Sequence, residues 1–128
     1  FQLYTVPGQV YYDATRRLVL QGADGVVFVA DSQPSRQEEN VESFRNLQDN
    51  LLSQGVDIRQ LPVVFQYNKQ DLPRDLILDV AELQEHLNFR DVPHIAADAL
   101  HGLGVFETLR CVAELVLRRL SRGPAAGA

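Results

Sequence analysis

Three polar side chains in one short segment can recognise a nucleobase. Asn68, Lys69 and Asp71 directly follow the apolar run of residues 61–67. A carboxylate accepts hydrogen bonds and can accept two in parallel, so Asp71 matches the N1–H and N2–H donors that guanine offers and adenine lacks. Asn68 can donate to the purine N7, and the Lys69 stem can lie over the ring while its ammonium reaches the sugar oxygen. The segment predicts a guanine-binding loop; the alternative is a polar turn in which Asp71 caps the next segment of the chain.

Lys69 is the only lysine among the 12 basic residues of the chain. Lysine has a slim, unbranched stem and a compact charged head, which arginine cannot replace where that shape is needed. We therefore interpret Lys69 as a residue with a specific role and not as a general surface charge.

Composition narrows the class of protein. The chain has 128 residues, of which 45% are hydrophobic, and this suits one domain with a single core. A net charge of -5 argues against a nucleic-acid partner. No apolar run approaches the roughly 20 residues of a membrane helix, and we expect a cytoplasmic protein. One cysteine excludes an internal disulfide framework, and His86, His94 and His101 have no metal-ligand spacing, so we predict surface histidines and no directly bound metal.

The hydrophobic pattern alternates between strand and helix. Apolar runs predict buried strands, and spacings of three and four predict helices. Ser35 with Glu38 predicts a capping box, and Phe106, Leu109, Val112, Ala113, Val116, Leu117 and Leu120 predict one apolar helical side. Strands are expected at residues 1–6, 26–30, 62–67 and 93–96, and helices at residues 11–20, between Ser35 and Gly55, from Asp79, and after Gly104.

Strands that are apolar throughout, separated by amphipathic helices, predict an α/β fold with a parallel sheet and helices on both faces. In such folds ligands lie beyond the carboxyl ends of the strands. Gly8 follows the first predicted strand and can bring its backbone N–H close to a phosphate, while Gln9 can orient an attacking water. Ala99, after the fourth strand, can offer its N–H to the guanine oxygen. A simple turn is the alternative for Pro7 and Gly8.

Four passages resemble the Ras-like small GTPases, and more closely the MglA group of bacterial cell-polarity and gliding-motility GTPases. The resemblance covers nearly the whole chain and predicts a Ras-like P-loop NTPase fold, with a partial GTPase domain at residues 1–122 and a disordered tail at residues 123–128. Thr5 distinguishes the MglA group from other small GTPases, because most small GTPases have aspartate at this position and the MglA group has threonine. The passages are residues 3–9, 25–32, 68–73 and 104–109.

The resemblance implies a switch that binds GTP or GDP with Mg²⁺ and hydrolyses GTP. Gln9 is the implied catalytic residue, and Thr5 is implied in magnesium support through water, weaker than aspartate would give. Asp98, Ala99 and Leu100 stand where the family has Ser-Ala-Lys. The implied nucleotide-binding residues are Gly8, Asn68, Lys69, Asp71, Asp98, Ala99 and Leu100.

The resemblance also implies a partner that accelerates hydrolysis, the roadblock-fold protein MglB, bound as a dimer, together with effectors. Residues 8–17 match the second switch region. Gln9, Tyr11 and Tyr12 are therefore the predicted partner contacts, and packing of the two tyrosines against the sheet is the alternative.

The phosphate-binding motif is absent from this sequence. A P-loop needs Gly-x-x-x-x-Gly-Lys-Ser/Thr, but Lys69 is followed by Gln70. The first switch and the strand that precedes it in the family also have no match, and the chain has no methionine, so we expect its gene to begin upstream. We predict that residues 1–128 alone neither fold stably nor hydrolyse GTP. The alternative function is a noncatalytic interaction module with a degenerate GTPase fold.

Overall fold

The computed structural model describes residues 13–88 and 90–122, which alternate between helix and strand. The first predicted strand and the tail at residues 123–128 lie outside this part, as does the beginning of the first predicted helix. The elements are α1 (Asp13–Leu20), β1 (Val26–Asp31), α2 (Gln37–Ser53), β2 (Val63–Asn68), α3 (Val80–Leu87), β3 (His94–Ala96) and α4 (Val105–Arg122).

The three strands form one parallel sheet in the order β1-β2-β3. Val26 pairs with Val63, and the register continues to Asp31 beside Asn68. β3 pairs with the second half of β2, from Phe65 to Tyr67. All three strands therefore end at the same edge of the sheet, and the predicted parallel α/β fold is confirmed.

Alternate residues of the strands point to opposite faces of the sheet. The closed face carries Phe28, Phe65 and Tyr67 and packs against α2 and α3. Phe44 of α2 meets Phe28 at 5.2 Å and Phe65 at 5.0 Å between ring centroids, within the range in which aromatic pairs attract each other. This face holds most of the buried apolar side chains.

The open face carries Val29, Val64 and Gln66 and packs against α4. Val29 is 53% exposed, so the prediction that the strands are buried is wrong for β1 in the described part. Leu117 of α4 is 58% exposed. Only part of the predicted apolar side of α4 is buried there. α4 meets the sheet through Val112 and Thr108, which are buried, while several large apolar residues elsewhere on the helix are exposed; these are Phe106, Leu109, Leu117 and Leu120.

The helix starts show one correct and one wrong prediction. Asp79 caps α3 in a capping box with Glu82, because each accepts from the other's backbone N–H. Ser35 does not cap α2. It lies inside a 3-10 turn at Pro34–Arg36, and α2 begins at Gln37 without a side-chain cap. The fixed φ of proline favours the first position of a helical turn, so the turn begins before Ser35 can take the capping position.

Gly104 positions the start of α4 against the end of β3. Its φ is +78°, and a Cβ at this position would lie 2.6 Å from the carbonyl oxygen of Ala96. Only glycine combines this backbone conformation with so close an approach. Gly104 therefore fixes how α4 meets the sheet edge where the predicted site lies.

Candidate functional site

The predicted base-recognition loop begins at the carboxyl end of β2. Asn68 is the last residue of the strand, and Lys69 comes next with a φ of +69°. This left-handed conformation is uncommon for a residue with a side chain. The carbonyl oxygen of Asn68 accepts from the backbone N–H of Ser32 at 3.2 Å and also from the Ser32 hydroxyl, so the adjoining strand holds the loop in this shape.

Two strand ends meet at this point. The backbone N–H of Gln70 donates to the carbonyl oxygen of Ala97 at 3.0 Å. The backbone N–H of Ala99 donates to Oδ1 of Asn68 at 2.9 Å. The loop after β2 and the loop after β3 are therefore in direct contact, as expected for neighbouring parallel strands.

The Ala99 contact changes what this group can do for a ligand. Its N–H was predicted to donate to the guanine oxygen, but in this structure it donates to Asn68. One N–H donor makes one strong hydrogen bond. The Asn68 amide must therefore move, or share this donor, before Ala99 can contact a base.

Asp71 has an exposed carboxylate beside this contact. One carboxylate oxygen of Asp71, one of Asp98 and a ring nitrogen of His101 all lie within 4.8 Å of one another. Exposure and a neighbouring second loop suit Asp71 to the role predicted for it, because a ligand can reach the carboxylate from solvent.

Asp98 and Leu100 have surroundings that the sequence did not indicate. Asp98 is 6% exposed, and its carboxylate accepts from the backbone N–H of His101 at 3.2 Å and contacts the His101 ring. It therefore caps its own turn and is not directed at solvent. Leu100 is 84% exposed, so its side chain is free of the protein interior.

Several predicted site residues lie outside the described part of the chain. They are Thr5, Gly8, Gln9, Tyr11 and Tyr12. The catalytic, phosphate and partner-binding predictions rest on sequence for these residues.

Magnesium, supported by Thr5 through water, is the metal that the resemblance implies. Among residues 13–88 and 90–122, the cluster suited to a metal is Asp71, Asp98 and His101. Mg²⁺ prefers oxygen ligands and keeps several waters, whereas imidazole suits transition metals. This cluster also includes Asp71, the residue predicted to recognise the base. The cluster therefore does not have the ligand set that suits Mg²⁺, and Thr5, the residue implied in magnesium support, lies outside the described residues.

Two residues at the end of β1 were missed by the sequence reasoning. Asp31 Oδ2 lies 2.9 Å from the Lys69 ammonium. Ser32 is fully buried behind Asn68. The signal was present, because both residues are polar and lie at the end of an apolar strand, which is the pattern that identified the other two loops. All three histidines are exposed, as predicted, but the contact of His101 with Asp98 was not foreseen.

A parallel sheet whose middle strand ends in Asn-Lys-x-Asp, with helices on both faces, is part of the Ras-like small GTPase fold. Comparison with known proteins agrees. Over 123 residues, 96% of its length, the chain is 55% identical to the mutual gliding-motility protein MglA of Myxococcus xanthus (strain DK1622) and covers 62% of that protein. The predicted resemblance to the MglA group is confirmed.

A second relative is more distant. The chain is 31% identical to ADP-ribosylation factor-like protein 4D of Mus musculus over 125 residues, which are 93% of this chain and 59% of that protein. The chain thus spans about three-fifths of the length of these two curated relatives, 62% and 59%. No family model matches the chain. None of the helices in the described residues is both long and apolar enough to cross a membrane.

Proposed function

We propose that this chain contributes the base-recognition side of a guanine-nucleotide site in an MglA-like small GTPase, a GTP/GDP switch in cell polarity or gliding motility. The observation that carries the proposal is the direct contact between the loops after β2 and β3, through Asn68 and Ala99. It brings the exposed carboxylate of Asp71 beside a second loop whose backbone can donate. These are the two kinds of group that a guanine edge requires, acceptors for N1–H and N2–H and a donor for the oxygen.

Recognition proceeds by matched hydrogen bonds in this proposal. Asp71 accepts from N1–H and N2–H of guanine, and the Lys69 stem lies along the ring. The Asn68 amide turns from Ala99 to the purine N7, which frees the Ala99 N–H for the guanine oxygen. Adenine lacks both donors for Asp71, so binding it would leave a charged acceptor without a partner.

Calorimetric titration of GDP, XDP and ADP into the complete natural protein tests base recognition. We expect GDP to bind and ADP to bind at least tenfold more weakly. A hydrogen bond to a charged group contributes about 1.5–3 kcal/mol, so Asp71→Asn should weaken GDP binding about 10- to 150-fold. Xanthine carries a carbonyl where guanine carries the amine, and the amide of Asp71→Asn can donate to it; XDP binding should therefore improve.

Asp75→Asn is the matched control, since Asp75 is an exposed aspartate four positions along the chain from Asp71. It should leave all three affinities unchanged. Equal affinity for GDP and ADP in the unsubstituted protein would refute guanine recognition.

Hydrolysis is proposed to depend on Gln9, with Mg²⁺ and a phosphate-binding loop supplied outside the described residues. When bound, Mg²⁺ would neutralise charge on the transferred phosphoryl group. Gln9→Ala should lower GTP turnover by the complete natural protein at least tenfold while GDP affinity stays within twofold.

Addition of an MglB-type roadblock dimer should raise turnover, and Tyr11→Ala or Tyr12→Ala should weaken this effect. Residues 1–128 alone should show no turnover above buffer.

A noncatalytic interaction module is the second candidate. It is favoured by leucine at position 100, where the family has lysine. Absence of both GDP and GTP binding by the complete natural protein, together with a cooperative melt, would support this function over the first.

A further inference from the structure

The Lys69 side chain is held by a carboxylate from the neighbouring strand. Its Nζ lies 2.9 Å from Oδ2 of Asp31, and the two side chains are 45% and 23% exposed. The register of β1 with β2 places Asp31 directly opposite Asn68. The contact therefore joins the end of one strand to the loop after the next.

Asp31 is itself fixed on both its backbone and its side chain. Asn40 of α2 accepts from the Asp31 backbone N–H at 3.2 Å and donates to its carbonyl oxygen at 2.8 Å. The Gln33 backbone N–H donates to Oδ1 at 3.0 Å, and Nε2 of Gln33 contacts both carboxylate oxygens. The carboxylate is thus oriented toward Lys69 by groups that do not belong to the loop.

The charge state of Asp31 supports an ionic contact. Partial burial by itself would raise the pKa of this carboxyl, but hydrogen bonds from Lys69 and Gln33 outweigh it and lower the pKa below its usual value. The carboxylate is therefore ionised at neutral pH.

The Lys69 backbone is held separately. Lys69 has a left-handed φ of +69° and stands between Asn68 and Gln70. The carbonyl oxygen of Asn68 accepts from the Ser32 hydroxyl, and Nε2 of Gln70 donates to the same hydroxyl at 2.7 Å. Ser32 consequently fixes the path of the loop, and Asp31 fixes the direction of the Lys69 side chain. These two functions can be separated by substitution.

We propose that Asp31 is a positioning residue for nucleotide binding, which holds the Lys69 stem in place before the base arrives. The inference rests on the proposed guanine site and assigns a role to a residue outside the Asn-Lys-x-Asp segment. Immobilising a long side chain on binding costs affinity, and a side chain that is already held avoids most of that cost. Removing the Asp31 charge should weaken GDP binding about 3- to 10-fold.

A double-mutant cycle on the complete natural protein tests this role by titration calorimetry with GDP. Asp31→Asn should lower affinity about 3- to 10-fold in the natural background, as that ordering cost predicts, and have no effect in the Lys69→Met background, where there is no ammonium to hold. Asp31→Glu, which keeps the charge, should bind GDP more tightly than Asp31→Asn. A purely structural role would weaken binding equally in both backgrounds.

Two variants serve as controls. Asp57→Asn removes a carboxylate that pairs with Arg59 at the surface and should leave GDP affinity unchanged. Ser32→Ala removes the buried hydroxyl behind the loop; it should lower the melting temperature and weaken GDP binding equally in both Lys69 backgrounds.

Unchanged or tighter GDP binding by Asp31→Asn would overturn the proposal, as would an equal loss in the two backgrounds. Neither result refutes guanine recognition if the unsubstituted protein still binds GDP more tightly than ADP. Failure of the unsubstituted protein to bind GDP refutes the proposed function and this role with it.

Discussion

The two faces of the sheet are built on different principles. On the closed face, Phe28, Phe44 and Phe65 are in mutual ring contact, with centroids 5.0–5.7 Å apart, and Leu51 and Leu83 are almost fully buried beside them. On the open face, α4 meets the sheet through Val112 and Thr108, and several of its large apolar side chains remain exposed in the described residues.

The open face is ordered by specific contacts. Nε2 of the buried Gln66 donates to Oγ1 of Thr108 at 2.8 Å, and the Thr108 hydroxyl contacts the Gly104 carbonyl oxygen at 2.6 Å. Hydrophobic burial is non-directional, whereas these contacts fix one orientation of the helix. We infer that the closed face provides most of the stability and the open face sets the position of α4.

The largest expected effect is at the closed face. Phe65 is 1% exposed, and Phe65→Ala should lower the free energy of unfolding by about 3–5 kcal/mol, because it removes a buried ring and leaves a cavity. Urea denaturation of the complete natural protein measures this change.

Leu117→Ala on the open face is the matched comparison. Leu117 is 58% exposed, so this change should cost less than about 0.5 kcal/mol. A loss comparable with that of Phe65→Ala would show that another part of the complete protein covers the open face, and the contrast between the faces would then fail.

Gly104→Ala should have the next largest effect. A left-handed alanine costs about 1–2 kcal/mol, and the added Cβ would lie 2.6 Å from the Ala96 carbonyl oxygen, which adds about 1–3 kcal/mol for overpacking. Gly102→Ala has a similar φ of +75° with no atom within 4 Å of the new Cβ. It should therefore show the backbone cost alone, and equal losses at both glycines would contradict a close approach of α4 to β3.

Much of the fold could be predicted from the sequence, because apolar runs locate strands and their alternation with helices implies a parallel sheet. Burial could not be predicted in the same way. Periodicity shows which residues of α4 share a side, but not whether a neighbour covers Phe106 or Leu117. The Ser-x-x-Glu spacing at Ser35 likewise predicts a helix cap, but the spacing does not show that the turn already begins at Pro34.

The candidate site was predicted where motif and strand end coincide, at Asn68, Lys69 and Asp71. Asp31 was missed because its contact with Lys69 depends on β1 and β2 being neighbours in the sheet. The engagement of Ala99 with Asn68 was missed for a different reason. A spacing can indicate which groups meet a ligand, but not which of them meet each other in its absence.

A smaller effect is expected at the polar contact of the open face. Thr108→Ala removes the acceptor of the buried Gln66 amide and should cost about 1–3 kcal/mol. Ser121→Ala removes an exposed hydroxyl that donates to Arg118 in the same helix and should change stability by less than about 0.5 kcal/mol. Equal unfolding free energies for these two variants would mean that the contact does not order α4.

The smallest effect at neutral pH is expected for Tyr67→Phe on the closed face. The Tyr67 hydroxyl is hydrogen-bonded to Oε1 of Gln84, and a single neutral hydrogen bond contributes about 0.5–1.5 kcal/mol.

Burial raises the pKa of Tyr67 above its ordinary value of 10.0. The unfolded chain therefore releases this proton first, so the contribution of the hydroxyl is complete below pH 10 and declines as pH rises toward the folded pKa. Urea denaturation between pH 8 and 11 should show a steeper loss of stability for the natural protein than for Tyr67→Phe. Parallel curves would mean that water reaches this hydroxyl, and the closed face would then be less well sealed at β2 than its aromatic packing indicates.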